Sequence, residues 1–135
     1  MNRFLLIAGP AAAAVIVGLV VWQMQEKPVP PPAAAPATSV RLTAAQEDGR
    51  RAFEVRCAAC HGVYGAGTDK GPPLTHKIYQ PSHHADQAFE IAAKFGARAH
   101  HWKFGDMPPV ADITAGEIPL IIDFIRAVQR ANGIN

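Results

Sequence analysis

The chain has 135 residues, a formal net charge of +2, 12 prolines, 11 glycines and 2 cysteines. This length predicts one domain and argues against a multidomain enzyme. The small, evenly spread charge excludes an electrostatic nucleic-acid binder, and two cysteines exclude a disulfide-rich scaffold. Many apolar residues lie near the N-terminus, so the remaining chain has only a modest core of its own and would gain from a large buried cofactor.

The segment from residue 4 to residue 22 carries no charged or strongly polar side chain. As a helix it would span roughly 28 Å, close to the hydrocarbon thickness of a bilayer. A retained transmembrane anchor over residues 1–26 and a cleaved signal peptide both fit the short basic start. The long apolar run favours the anchor, because signal-peptide cores usually cover about 7–15 residues. Arg3 then predicts a cytoplasmic N-terminus, with the rest of the chain on the other side.

A proline- and alanine-rich linker follows at residues 27–40 and has no apolar periodicity. Its composition favours polyproline II, which acts as a semi-rigid spacer. The sequence therefore predicts a stalk between the anchor and a folded domain at residues 41–135.

Three helical patterns follow in that domain, and strand patterns are absent. Thr43 and Gln46 form a capping-box signature for a helix that runs towards Arg56. A second helix is predicted over residues 85–95, with Gly96 to end it. The third covers about residues 117–132 and carries an apolar stripe, and Gly133 follows as its stop. The predicted fold class is all-α, with three main helices and long loops.

The sequence Cys57-Ala58-Ala59-Cys60-His61 is the CxxCH pattern of covalent c-type haem attachment. Two thiols at this spacing can add to the two vinyl groups of one porphyrin, and the adjacent His61 can ligate the iron. A zinc site would need further ligands at motif spacing, and a thioredoxin-type motif would need a βαβ context. The following histidine and the all-α pattern favour haem.

With this motif the domain resembles the class I monohaem cytochromes c over about residues 43–132. Gly71-Pro72-Pro73-Leu74 matches the family's GPxL segment, and Met107 lies in a Met-Pro-Pro loop before the last helix. The resemblance implies a cytochrome c fold around one covalent haem c, with His61 and Met107 as axial ligands. It also implies that the Pro72 carbonyl accepts a hydrogen bond from His61 and that Leu74 packs on the haem.

The resemblance further implies a single-electron carrier rather than an enzyme, because His/Met ligation fills both axial positions of the iron. Expected partners are a quinol:cytochrome c oxidoreductase, a terminal oxidase or a periplasmic dehydrogenase. The expected location is the bacterial inner membrane, with the haem domain in the periplasm. The alternatives are a haem enzyme or sensor with an open sixth position for peroxide or a diatomic gas, and a metal-binding module built on paired histidines.

Those pairs are His83-His84 and His100-His101, which flank the second predicted helix. They are interpreted as polar loop residues, as a surface copper or zinc site, or, for the second pair, as a replacement for Met107 on the iron. Trp102, near the Met107 loop, is either a haem-propionate donor or a half-buried loop anchor.

Overall fold

A computed structural model describes residues 40–135 of the chain. The predicted anchor at residues 1–26 and the linker up to residue 39 lie outside the described residues. Within the described part there is no helix of the length and apolar character needed to cross a membrane. The helices are α1 (Ala44–Arg56), α2 (Ala58–His61), α3 (Asp86–Phe95) and α4 (Glu117–Ala131), with 3₁₀ turns at Val63–Gly65 and Lys77–Tyr79.

The helix boundaries follow the local sequence signals closely. At the start of α1, the Thr43 hydroxyl accepts from the Gln46 N–H, and the Gln46 side chain accepts from the Thr43 N–H at 3.0 Å. This reciprocal pair satisfies two N–H groups that the first turn leaves unpaired. Gly96, at φ 79°, ends α3. The three predicted main helices are thus confirmed, and the sequence did not predict the short α2 or the two 3₁₀ turns.

Helices α1 and α4 cross with their backbones in contact at Gly49. A Cβ atom at this position would collide with the carbonyl oxygen of Leu120 and come within 3.0 Å of the Phe124 Cβ. Phe53 lies one turn further along α1, and its ring packs against Phe124 with centroids 5.4 Å apart. The small residue beside the large one therefore sets how closely the two helices approach.

The hydrophobic core lies along this crossing. Phe53 and Phe124 are fully buried, and the Tyr64 ring meets Phe124 edge-on at 5.4 Å. The other buried core side chains are Leu74, Ile121, Ile125 and Val128. Most of them come from the apolar stripe of α4, so this helix supplies one wall of the core while α1 and the loop after α2 supply the other.

A buried arginine ties α4 to the segment before α3. Arg126 is 6% exposed and donates to the carbonyl oxygens of Tyr79 at 2.8 Å and His84 at 2.5 Å. It also donates to Asp86 at 2.7 Å and to Gln129 at 2.6 Å. Each of the three guanidinium nitrogens thus donates to at least one acceptor. The buried charge is therefore compensated.

Candidate functional site

The two cysteines and His61 lie on one tight turn at the end of α1. The N–H groups of Cys60 and His61 donate to the Cys57 carbonyl oxygen at 3.1 and 2.9 Å. Cys57 is half-buried and lines a cavity, whereas Cys60 is exposed and does not line it. Burial raises the pKa of the Cys57 thiol to about 11. The two cysteines are three positions apart, about one turn of helix.

His61 is buried, and its ring is fixed by one hydrogen bond. Its Nδ1–H donates to the Pro72 carbonyl oxygen at 3.0 Å, which leaves Nε2 as the nitrogen with a free lone pair. Burial lowers the pKa of His61, although the bond to Pro72 opposes that change. The imidazole is therefore held neutral and in the tautomer that a metal ligand requires.

Met107 is held by its own backbone at the end of a closed loop. Its N–H donates to the Ala97 carbonyl oxygen at 2.8 Å, and the Ala97 N–H donates to the Met107 carbonyl oxygen at 3.0 Å. Gly96 makes this approach possible, because a Cβ there would lie 2.5 Å from the Met107 carbonyl oxygen. The pair is the one β-bridge among the described residues. It ties the thioether-bearing residue to the end of α3.

One cavity of about 510 Å³ collects most of the predicted site residues. Its wall includes Cys57, His61, Pro72, Leu74 and Met107. Further apolar side chains from α1, α3 and α4 complete the wall: Phe53, Phe89, Ile118 and Ile121. The site thus combines a large apolar surface with a few converging polar groups, as cofactor sites do.

A buried donor without a partner lies in the same wall. The indole Nε1 of Trp102 is shielded from solvent and makes no hydrogen bond to any described residue. Burial raises the pKa of Tyr79, and the neighbouring Trp102 indole opposes that rise. The two groups do not have the geometry of a hydrogen bond. Buried N–H groups are rarely left unpaired. The residues therefore fit a ligand that is largely apolar but brings its own hydrogen-bond acceptor, as a haem with its propionates does.

Several residues of this site were not found by sequence reasoning. Helix α3 has no buried residue. Its apolar side chains Phe89, Ala92 and Ala93 face the cavity. His84, His100 and His101 also line the cavity, although the sequence located them only as flanks of a helix. Periodicity identifies an apolar face, but it does not say whether protein or cofactor covers that face.

A CxxCH turn, a buried histidine oriented by a backbone carbonyl and a large apolar cavity in an all-α domain are the features of a c-type haem protein. The family model described as Cytochrome c matches residues 46–129. The chain belongs to the cytochrome c family, carries covalently attached haem c and is a haem-based electron carrier. No curated protein and no solved structure matches the chain significantly.

Proposed function

We propose that the protein is a monohaem cytochrome c with His61 and Met107 as the axial ligands, working as a membrane-anchored electron carrier in the bacterial periplasm. In this proposal Cys57 and Cys60 hold the haem covalently. The observation that carries it is that two restrained candidate ligands, His61 tied to Pro72 and Met107 tied to Ala97, line a single apolar cavity.

When bound, haem would supply a one-electron ferric/ferrous couple. The chain's own residues favour that use over ligand binding. The Pro72 carbonyl orients His61 and would increase its donor strength, and the Ala97 bridge restrains the backbone of Met107, so these two residues would hold the iron. A thioether ligand raises the reduction potential relative to a second histidine. The Trp102 N–H is proposed to donate to a propionate.

The histidine pair before Met107 is the competing source of a sixth ligand. His100 uses Nδ1 to donate to the Arg98 carbonyl oxygen at 2.6 Å. The Nε2 of His101 lies 3.4 Å from the Nε2 of His83. Both histidines are exposed, whereas Met107 is partly buried and its backbone is tied to Ala97, so Met107 is the better candidate ligand.

The proposed location and partners rest on the N-terminal sequence and on the family. An apolar segment at residues 4–22 followed by a proline-rich linker supports a haem domain tethered outside the cytoplasmic membrane. Tethering confines the carrier near membrane partners and raises their effective concentration. The proposed partners are a quinol:cytochrome c oxidoreductase, a terminal oxidase or a periplasmic dehydrogenase.

The test is the visible spectrum of the haem-loaded full-length protein, oxidised and reduced, with and without carbon monoxide. We expect a methionine-to-ferric-iron charge-transfer band and no spectral change with carbon monoxide. Met107→Ala should abolish the band and allow carbon monoxide to bind, whereas Met24→Leu, a methionine outside the haem domain, should leave both unchanged. Carbon monoxide binding by the unaltered protein would contradict the proposal and indicate an enzyme or sensor with an open iron.

A further inference from the structure

Three histidines from two separate loops converge beside the haem cavity. The ligand nitrogens of His83, His84 and His101 all lie within 4.8 Å of one another. His83 and His101 are 18 positions apart in sequence, and their Nε2 atoms are 3.4 Å apart. At that distance two neutral imidazoles can share one N–H···N hydrogen bond. With a third ring in the same place, protonating all three rings is unfavourable, because their positive charges repel one another.

The spacing suits a metal ion. Zinc–nitrogen bonds of about 2.0–2.1 Å place two tetrahedral ligands about 3.3–3.4 Å apart, which is the separation of the His83 and His101 nitrogens. His83 and His101 are exposed and His84 is partly exposed. Exposed side chains have room to rotate, and the third nitrogen, within 4.8 Å of the other two, has only a short distance to move.

The cluster is held by contacts outside it. The Nδ1–H of His84 donates to the Ile78 carbonyl oxygen at 2.7 Å, which leaves Nε2 as the ligand nitrogen, the arrangement common for metal-bound histidines. The His84 carbonyl oxygen accepts from the buried Arg126, whose charge is matched by Asp86. On the other loop, Asp106 accepts from the Ala99 N–H at 2.8 Å. Both loops are thus restrained before any ion arrives.

We propose that His83, His84 and His101 form a binding site for one divalent transition-metal ion, Cu²⁺ most tightly and Zn²⁺ more weakly, at the edge of the haem cavity. Three imidazoles with no carboxylate in the cluster disfavour Mg²⁺ and Ca²⁺, which need oxygen ligands. Imidazole suits copper and zinc, and the general order of affinities places Cu²⁺ above Zn²⁺. The fourth position is open to water or to the neighbouring His100, whose ring centroid lies 4.2 Å from that of His101.

The test is a calorimetric titration of the haem-loaded full-length protein with Cu²⁺ and, separately, with Zn²⁺. We expect one Cu²⁺ per haem, and nitrogen hyperfine structure in its electron paramagnetic resonance spectrum. The double variant H83Q/H101Q should weaken binding by at least about 100-fold, since even outer-shell changes cost up to that factor. Both residues are exposed, and an unchanged haem spectrum verifies that the variant is folded.

His76→Gln is the matched control. His76 is also a loop histidine, but its Nδ1 accepts from the Ile78 N–H at 3.2 Å and it lies outside the three-histidine cluster. Its variant should bind Cu²⁺ as the unaltered protein does. The proposal is overturned by a stoichiometry near zero, by equal binding in H83Q/H101Q, or by equal loss in His76→Gln. It is also overturned if Cu²⁺ removes the methionine–iron band, because the ion would then act at Met107.

Discussion

Two sides of the domain, one built on α1 and α4 and the other on α3 and the Met107 loop, bury apolar surface in different ways. Helix α4 has eight buried residues, and its contact with α1 is close enough that Gly49 has no room for a Cβ. Helix α3 has none, although it is amphipathic, and Ile91, in the cavity wall, is 48% exposed. Where α1 and α4 cross, protein alone covers the apolar surface, although Phe53, Ile118 and Ile121 also reach the cavity wall. The side built on α3 and the Met107 loop is complete only when a cofactor covers its apolar face.

The strongest test of this difference removes the haem. In the variant C57A/C60A we expect no covalently retained haem after extraction with acidified acetone. Without it, backbone amides of α3 and of residues 97–107 should exchange on the order of 100-fold faster, because few apolar contacts then hold them. Amides in the middle of α1 and α4 should change far less. Hydrogen exchange followed by mass spectrometry measures both sides in one experiment.

Cys60→Ala is the milder control for haem removal, since the half-buried Cys57, which lines the cavity, is kept. We expect haem to remain covalently attached through one thiol, with α3 still protected. Equal acceleration of exchange in α1 and α3 of the double variant would contradict the division of the domain into a protein-covered and a cofactor-covered side.

The next test breaks the protein-covered side. Gly49→Ala inserts a methyl group against the backbone of Leu120 and should reduce the free energy of unfolding by about 3 kcal/mol, the upper part of the range for overpacking. Gly116→Ala is its control, because Gly116 has no atom within 4 Å of an added Cβ and an ordinary helical φ of −80°. We expect that variant to be stabilised by at most about 1 kcal/mol. Chemical denaturation of the haem-loaded variants compares them, and similar midpoints would refute the close contact.

The smallest effect concerns the link between the two sides. Arg126→Met leaves the Tyr79 and His84 carbonyl oxygens without their donor, so we expect a loss of about 2 kcal/mol of unfolding free energy. Arg130→Met is matched in residue type and helix. Its side chain is 55% exposed, and its ion pair with Asp123 is long, at 4.0 Å. The variant should therefore lose no more than about 0.5 kcal/mol of unfolding free energy. Thermal unfolding measures the stability of both variants. Equal decreases in melting temperature would contradict a stabilising role for the buried Arg126 network.

Features that depend on neighbouring residues could be predicted from the sequence. The start of α1 at Thr43 and the end of α3 at Gly96 depend on neighbouring residues, and both predictions are confirmed.

Other features depend on partners far along the chain. Arg126 and Gln129 are charged and polar, yet they are 6% and 0% exposed. Their acceptors are backbone carbonyl oxygens, such as Tyr79 and Leu74, some 47 to 55 positions away, and backbone atoms leave no signal in residue identity. The convergence of His83 and His101 was missed for the same reason. The histidine pairs were visible in the sequence, but the fold of the intervening loop was not.

The crossing of α1 and α4 also determines how freely the rest of the domain can vary in length. Arg56, at the end of α1, pairs with Glu117, at the start of α4, across 61 positions. These two helices therefore close one long loop that contains most of the haem cavity. The entropy of closing a loop grows only with the logarithm of its length, so fifteen additional residues would cost about 0.2 kcal/mol. The segments between α1 and α4 can therefore lengthen at little entropic cost, whereas one methyl group at Gly49 meets the backbone of Leu120.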